Sequence, residues 1–200
     1  MIRAFIAVEL DPLVIGKISE AIEQLKGRID GIRWVPAGNL HVTLKFLAWI
    51  DEGLVHQITS NLDEHLRLFS PFIISAKGLG TFPNPRRPHV LWVGLEGTRL
   101  GVLAAAVERA LDPLGFSPEK RAFQPHLTIA RWRESQKASP GLAEELTRWG
   151  ERDFGNSKVK SVTLFQSILK PQGAEYRALQ HIFLGRDHIP DDSSRPRRHS

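Results

Sequence analysis

Two short motifs in the chain carry the residue types of acid–base chemistry. Residues 41–44 read HVTL and residues 126–129 read HLTI, so both have the form H-x-T-x and begin 85 residues apart. Each stretch is rich in aliphatic residues typical of strands, and side chains in a strand alternate between its two faces. We therefore expect His41 and Thr43 to share one face of the first strand. The same alternation places His126 and Thr128 on one face of the second strand.

Two histidines that face one cleft suit a reaction that needs a general base and a general acid. Imidazole titrates near neutral pH, and each role contributes about 10²–10⁴-fold in rate. Phosphodiester hydrolysis has this requirement: one histidine deprotonates the attacking water, the other protonates the leaving alkoxide, and threonine hydroxyls donate to phosphoryl oxygens. Neither motif contains Asp or Glu to complete a ligand set. The sequence therefore predicts a site that needs no metal and no other cofactor.

A single H-x-T-x is common in packed strands, and its repetition is what favours a catalytic interpretation. Five of the other histidines have no partner at the same offset, and we interpret them as ordinary helix, strand or tail residues. They are His56, His65, His181, His188 and His199.

Two residues downstream of the motifs are candidates for contacting a substrate. Phe46 is the best-placed aromatic residue for stacking on a base. It lies five residues after His41, which is one residue away from the even spacing that places two strand residues on the same face. Arg131 shares the face of Ile129 if alternation is strict, so a bulge or a long reach of the side chain is needed to bring it to a phosphate. The same condition applies to Lys45. Four other aromatic residues are interpreted as core or rim rather than base platforms: Trp34, Trp49, Trp92 and Trp132.

The segments around the motifs alternate between strand and helix patterns. Residues 4–10 predict a buried strand, Asp11 and Pro12 mark a helix start, and apolar residues at three-and-four spacing continue to Gly27. Residues 33–35 and 40–46 are interpreted as the two strands of a hairpin. The pattern further predicts helices at 54–66 and 103–114, and strands around 72–76 and at 89–95, 125–131, 159–166 and 176–184.

The offset of 85 residues extends beyond the motifs. It also relates Val8 to Val93, Leu10 to Leu95 and Phe69 to Phe154, which indicates an internal duplication. The predicted fold is α+β and bilobal, with a pseudo-twofold relation between two antiparallel-rich sheets that face a central cleft, and with helices outside. We expect a single bilobal domain over residues 1–187, and a disordered tail over residues 188–200.

Composition excludes several classes of protein. The 200 residues include no cysteine, which removes disulfides, thiolate nucleophiles and Cys-ligated metals. The formal net charge of +5 favours a polyanionic partner without requiring one. No apolar run approaches the roughly 20 residues needed to span a bilayer. These features predict a cytoplasmic protein without membrane association, and we expect a monomer.

The chain resembles the 2H phosphoesterase superfamily and, within it, the bacterial and archaeal RNA 2′,3′-cyclic phosphodiesterases, historically called 2′-5′ RNA ligases. The resemblance covers about residues 1–185 and rests on residues 3–7, 41–47, 80–94, 125–131 and 167–176. Two departures are visible: Ala48 stands where the family often has glycine, and His89 stands where a basic residue usually precedes the next strand.

The resemblance implies a metal-independent enzyme that opens 2′,3′-cyclic phosphate ends of RNA to 2′-phosphomonoesters. It implies His41 as proton donor to the leaving 3′ oxygen and His126 as proton acceptor from water. Thr43 and Thr128 then hold the phosphate, and Phe46 and Arg131 contact the substrate. The partner is RNA with cyclic phosphate ends, with tRNA fragments or nucleotides as candidate forms.

Three alternatives remain open from the residues. The same cleft can join a cyclic phosphate end to a 5′-hydroxyl as a 2′-5′ ligase, since the attacking oxygen can come from RNA instead of water. A non-catalytic RNA-binding module can keep the fold, although it predicts decay of a motif residue and all four are present. An acid–base enzyme that acts on small cyclic nucleotides satisfies the same motifs.

Overall fold

The structure is a computed structural model that describes residues 1–133, 138–171 and 173–185. Within these ranges the chain forms nine strands and four α-helices. The helices are α1 (Pro12–Lys26), α2 (Leu54–Leu66), α3 (Thr98–Leu111) and α4 (Leu142–Trp149). The strands are β1 (Ile2–Val8), β2 (Ile32–Trp34), β3 (Val42–Ile50), β4 (Phe72–Phe82), β5 (Val90–Glu96), β6 (His126–Trp132), β7 (Asp153–Val159), β8 (Ser161–Lys170) and β9 (Gly173–Phe183).

Helix α1 begins and ends where the sequence predicts. Pro12 is its first residue, a position where the missing N–H of proline removes no helical hydrogen bond, and Gly27 follows its last turn. The Asp11 carboxylate does not cap the helix. It accepts a hydrogen bond from the backbone N–H of Lys158 at 2.7 Å, so it ties the start of α1 to β7. The buried face of α1 consists of Val14, Ile18, Ala21, Ile22 and Leu25.

Two antiparallel sheets form the framework, and the predicted α+β fold is confirmed. The first sheet has the strand order β3-β1-β8-β9, and the second has the order β2-β6-β5-β4-β7. Strands β1 and β3 of the first sheet correspond to β5 and β6 of the second. The outer strands are exchanged between the halves of the chain, because β8 pairs with β1 whereas β4 pairs with β5. Each sheet therefore contains strands from both halves.

The predicted hairpin of residues 33–35 and 40–46 is wrong. Strand β2 pairs with β6 in the second sheet, and β3 pairs with β1 in the first sheet. A short helical turn at Ala37–Asn39 separates β2 from β3. The chain therefore crosses between the sheets at this point, and the two strands that bear the motifs are held close together.

Helices cover the outer faces of the sheets. One contiguous hydrophobic cluster joins the buried faces of the four helices to the outer faces of both sheets. A second, smaller cluster contains Phe5, Ala7 and Phe165, with Tyr176 packed against it. Because Phe5 and Ala7 alternate with core residues of β1, this second cluster lies on the cleft side of the first sheet.

Two expectations about the second half need correction. Strand β7 is absent from the sequence prediction, because its polar residues and Gly155 weaken the strand pattern. Phe154 lies within β7, whereas Phe69 lies outside any helix or strand before β4, so this pair at the offset of 85 is not structurally equivalent. The predicted Arg-rich tail lies outside the described residues.

No helix in the described ranges is long and apolar enough to cross a membrane.

Candidate active site

Both H-x-T-x motifs line one cavity of about 630 Å³ between the two sheets, here called the histidine cavity. His41 lies directly before β3, and His126 is the first residue of β6. All six residues singled out from the sequence for catalysis or substrate binding line this cavity: His41, Thr43, Phe46, His126, Thr128 and Arg131.

A β-bulge in each motif-bearing strand places Phe46 and Arg131 in the cavity. The pairing of β1 with β3 skips Leu44, and the pairing of β5 with β6 skips Ile129. An extra residue in a strand reverses the alternation beyond it, so the residues that follow turn to the cleft. The bulge that Arg131 requires is therefore present. Burial along residues 41–47 and 126–132 follows the same pattern, residue by residue.

Lys45 does not reach the cavity that contains the histidines. Its side chain is 3% exposed, forms an ion pair with Glu108 of α3, and donates to the backbone carbonyl of Ser117 at 2.9 Å. The bulge at Leu44 buries Lys45 as it exposes Phe46. Lys45 therefore holds α3 and the segment after it against β3.

His41 lies among aromatic rings. Its ring centroid is 4.8 Å from that of Phe5 and 5.1 Å from that of Tyr176, which meets it edge-on. Its Nδ1 lies 2.7 Å from the backbone carbonyl of Asn39, and its Nε2 lies 3.0 Å from Oγ1 of Thr43. A carbonyl only accepts, so Nδ1 donates and the neutral ring has an unprotonated Nε2. The hydroxyl of Thr43 then donates to Nε2.

His126 has the same backbone tether and fewer neighbours. Its Nδ1 donates to the backbone carbonyl of Gln124 at 2.7 Å, which again leaves Nε2 unprotonated in the neutral ring. The ring of Phe82 packs edge-on against it, with 5.0 Å between centroids. Both histidines therefore keep one orientation and one tautomer, with an unprotonated Nε2 that accepts from Thr43 in His41 and has no hydrogen-bond partner among the described residues in His126.

Burial lowers the pKa of both histidines below the ordinary value of 6.5. The hydrogen bonds to the Asn39 and Gln124 carbonyls act in the opposite direction, and the positive charge of Arg131 lowers both pKa values further. Glu9 partly offsets this effect for His41. Burial therefore favours the neutral form of both rings in the free protein.

Packing within the second sheet supports the Phe82 ring, which lies next to His126. Trp92 packs beside Phe82, with 5.2 Å between ring centroids. A Cβ on Gly80 would lie 2.2 Å from the indole of Trp92, so only glycine lets the indole lie flat against β4. Gly80, Trp92 and Phe82 thus form a packed series that ends at the imidazole of His126.

A second cavity of about 1440 Å³ adjoins the first, and we call it the side cavity. It shares Phe46, His126 and Arg131 with the histidine cavity and extends between α3 and residues 118–124. Arg121 lies on its wall.

Sequence reasoning missed several residues of the histidine cavity. Phe5 and Tyr176 pack on His41, and Arg3 and Trp49 line the outer part of the cavity. Phe5 lies two residues after Arg3 on β1, so their alternation was a signal that could have placed both on the cleft side. Tyr176 comes from β9, and no local pattern links it to His41. Trp49 is 60% exposed and lines the cavity, so it is a rim residue and not a core residue.

No group of three or more His, Cys, Asp or Glu side chains placed to hold a metal ion occurs in the part of the chain that the structure describes.

Comparison with known families identifies two copies of one pattern in this chain. The model of the LigT-like phosphoesterase family matches residues 14–92 and again residues 93–176. The boundary between the two matches falls within β5, and each match contains one H-x-T-x motif. The internal duplication inferred from the offset of 85 residues therefore agrees with a family pattern that occurs twice.

Curated relatives extend the similarity over most of the chain. A protein of Archaeoglobus fulgidus named RNA 2′,3′-cyclic phosphodiesterase is 36% identical over 179 residues, which cover 89% of this chain and 98% of that protein. A protein of the same name from Aquifex aeolicus is 35% identical over 175 residues, which cover 84% of this chain and 92% of that protein.

Solved structures have the same fold. The crystal structure of TT0787 of Thermus thermophilus has a TM-score of 0.78 at 29% identity, over 93% of this chain and 100% of that one. The structure of Escherichia coli LigT complexed with 3′-AMP has a TM-score of 0.73 at 23% identity, over 92% and 99% of the two chains. With two family matches and relatives above 30% identity, the chain belongs to the LigT-like phosphoesterase family.

Proposed function

We propose that this protein hydrolyses the 2′,3′-cyclic phosphate at the end of an RNA chain to a 2′-phosphomonoester, with His41 and His126 as acid and base. The observation that carries the proposal is that two histidines line one cavity, each held through Nδ1 by a backbone carbonyl so that Nε2 is the unprotonated nitrogen of the neutral ring. The names of the relatives in Archaeoglobus fulgidus and Aquifex aeolicus support the choice of a cyclic phosphodiester as substrate.

The step balances with one proton accepted and one proton donated. A water oxygen attacks phosphorus, its proton passes to Nε2 of His126, and the bond between phosphorus and the 3′ oxygen breaks. Nε2–H of protonated His41 delivers a proton to that oxygen, which becomes the 3′-hydroxyl. The phosphate remains on the 2′ oxygen. Exchange of protons with solvent then resets both rings.

The surroundings of the two rings support this division of roles. Nε2 of His41 has the Thr43 hydroxyl at 3.0 Å, which fixes its direction within the aromatic cluster. His126 makes a single hydrogen bond among the described residues, through Nδ1, so its Nε2 can accept a proton from a water in the cavity. The direction of transfer itself comes from the family resemblance.

The negative charge of the bound substrate favours the protonated form of His41, which the acid role needs. Burial lowers the pKa of His41 in the free protein, but a bound phosphodiester brings a negative charge next to both rings and raises their pKa values. Arg131 and the hydroxyls of Thr43 and Thr128 line the same cavity and can donate to the phosphoryl oxygens as negative charge develops. The exposed ring of Phe46 offers a face for a base.

Product analysis on a short RNA with a 2′,3′-cyclic phosphate end tests the proposal. The reaction is run in EDTA with the wild type, His41→Ala, His126→Ala and, as a matched control, His65→Ala, whose ring lies on α2 and bonds to the Asn61 carbonyl. We expect a 2′-phosphate product from the wild type and the control, and none from the two motif variants.

Other products would change the proposal in defined ways. A 3′-phosphate product would mean that the 2′ oxygen leaves, which reverses the regiochemistry. Joined RNA in place of hydrolysed ends would favour ligation. Full activity in His41→Ala or His126→Ala would refute the mechanism with two histidines, and a rate that EDTA abolishes would refute its independence of metal.

A further inference from the structure

Strand β3 continues past the catalytic motif and exposes a large aromatic ring in the same cleft. Trp49 is 60% exposed and lines the histidine cavity. It lies three residues beyond Phe46, a distance of about 10 Å along a strand. A base stacked on Phe46 lies within about 7 Å of that ring, so Trp49 offers a separate stacking surface.

A second bulge is what turns Trp49 toward the cleft. Strict alternation would place Trp49 on the face opposite to Phe46, but the pairing of β1 with β3 also skips Leu47. Ala48, the next residue, has φ of +56°, and among the described residues it is the one non-glycine with a positive φ. Strained backbone of this kind persists where the surrounding structure holds it, and it concentrates at functional sites.

Within the residues that the structure describes, β6 does not repeat this extension. Strand β6 has one register shift against β5, and it ends at Trp132, one residue after Arg131. The bulges at Leu44 and Ile129 are shared by both halves and position the motifs. The bulge at Leu47 therefore serves something other than the placement of the motif residues.

A cation faces the same stretch of the cleft. Arg3 lies directly opposite Trp49 in the pairing of β1 with β3, and its exposed side chain lines the histidine cavity. Residues directly opposite in an antiparallel pair share a face, so Arg3 and Trp49 occupy adjacent positions on the cleft side of the first sheet. An aromatic platform beside a cation is the combination that binds single-stranded nucleic acid, because rings stack on bases and cations contact phosphates.

We propose that Trp49 and Arg3 bind the nucleotide that precedes the cyclic phosphate end, with Trp49 stacked on its base and Arg3 on the phosphate that links it to the terminal nucleotide. The inference rests on the proposed function. It names the preferred substrate class as RNA chains of two or more nucleotides over cyclic mononucleotides.

Rates on two substrates test the proposal. We compare kcat/KM for 2′,3′-cyclic AMP and for an RNA tetranucleotide that ends in a 2′,3′-cyclic phosphate, using the wild type, Trp49→Ala, Trp49→Phe and Arg3→Gln. The expected loss in Trp49→Ala is at least tenfold larger for the tetranucleotide than for the mononucleotide, and Trp49→Phe recovers most of it. Ile73→Ala, which removes an exposed apolar side chain from β4, is expected to behave as the wild type.

A binding measurement separates this proposal from the proposed function. Fluorescence anisotropy of a 5′-labelled RNA tetranucleotide that ends in a 3′-phosphate requires no turnover. Trp49→Ala is expected to weaken binding about tenfold. Arg3→Gln is expected to reduce the slope of log affinity against log salt by about 0.7. If neither substrate is hydrolysed but these binding effects appear, the proposed function fails and the nucleotide site stands.

Two results would overturn the nucleotide site. Equal losses for the mononucleotide and the tetranucleotide, or unchanged binding of the labelled RNA, would mean that Trp49 does not contact a second nucleotide. A larger loss for the tetranucleotide in Arg121→Gln than in Trp49→Ala would place the RNA chain in the side cavity instead.

Discussion

The two halves of the cleft use the same backbone and surround it with different side chains. Residues 41–47 and 126–132 share one burial pattern, one bulge position and one tether from Nδ1 of the histidine to a carbonyl two residues earlier. Around them the halves differ. His41 has Phe5, Phe165 and Tyr176 as ring neighbours, whereas His126 has Phe82.

The difference is sharpest at the position that follows each bulge. Phe46 and Arg131 occupy equivalent places, one an aromatic ring and the other a guanidinium. A ring suits the face of a base and a guanidinium suits a phosphate, and this difference is the basis of the proposed division between base binding and phosphate binding. The duplication accounts for two similar histidines, and we propose that the divergence around them gives the reaction a direction.

Removal of either histidine is expected to have the largest effect on activity. His41→Ala and His126→Ala are each expected to lower kcat on cyclic phosphate RNA by about 10²–10⁴-fold, because each removes one proton transfer. The double variant is expected to lose little more than the more damaged single variant, since the two groups act in one step. Single-turnover rates measure this, with circular dichroism to verify the fold. Losses that multiply in the double variant would contradict a concerted role.

Single substitutions of Arg131 and Phe46 test whether one residue binds the phosphate and the other binds the base. Arg131→Gln is expected to lower kcat by about 10²–10³-fold, as for the loss of one donor to a developing oxyanion. Phe46→Ala is expected mainly to raise KM, by roughly tenfold, as for the loss of one stacked base. Steady-state kinetics on the tetranucleotide separates the two effects. Equal effects of both variants on kcat would show that the two positions do not divide the work.

The pH dependence reports both histidines together. Burial lowers both pKa values in the free protein, and the active form needs one ring protonated and the other neutral. The profile of kcat/KM, which reflects the free enzyme, is therefore expected to peak below pH 6.5 and to fall on both sides. The kcat profile is expected to peak at higher pH, because the bound phosphate raises both pKa values.

Arg131→Gln refines the pH test. Its positive charge lowers the pKa of both rings, so its removal is expected to move both limbs of the kcat/KM profile to higher pH. A shift of one limb alone would mean that Arg131 acts on one histidine. A shift to lower pH would contradict the electrostatic account.

The smallest expected effect concerns the second bulge of β3, at Leu47, and the residue that follows it. Ala48 has φ of +56°, a conformation that costs an alanine about 1–2 kcal/mol and that glycine adopts freely. Ala48→Gly is expected to raise the free energy of unfolding by about 0.5–1 kcal/mol, measured by urea denaturation. The matched control is Ala105→Gly on α3, which is expected to lower it by about 1 kcal/mol. Destabilisation by both changes would show that Ala48 is unstrained.

The elements were predictable from sequence where their determinants are local. The start of α1 at Pro12, the helix at 54–66 and the shared face of His41 and Thr43 follow from spacing and alternation. The partner of β2 was not predictable, because turn residues at 36–39 suggest a hairpin and the pairing with β6 depends on distant residues. The need for a bulge before Arg131 was predictable, but its position at Ile129 was not, since register depends on the partner strand.

The residues of the site were likewise predictable only where a local pattern identifies them. The repeated motif identified four side chains that line the histidine cavity, and Phe46 and Arg131 were candidates from their positions downstream of it. Phe5, Tyr176 and Phe82, which give the two histidines different surroundings, come from strands that lie beside the motifs only after folding. The exchange of β4 and β8 between the halves brings Phe82 to His126 and Phe165 to His41, and no pattern within either half indicates it.

A substrate with an activated leaving group tests the central claim, that two equivalent histidines have opposite roles. In the cyclic phosphate analogue with sulfur in place of the 3′ oxygen, the leaving thiol has a pKa of about 8.5 and departs without a general acid. We predict that this substrate restores most of the rate of His41→Ala, relative to wild type, and restores little of the rate of His126→Ala. Recovery of His126→Ala instead would reverse the two roles, and equal behaviour of both variants would contradict the division between acid and base.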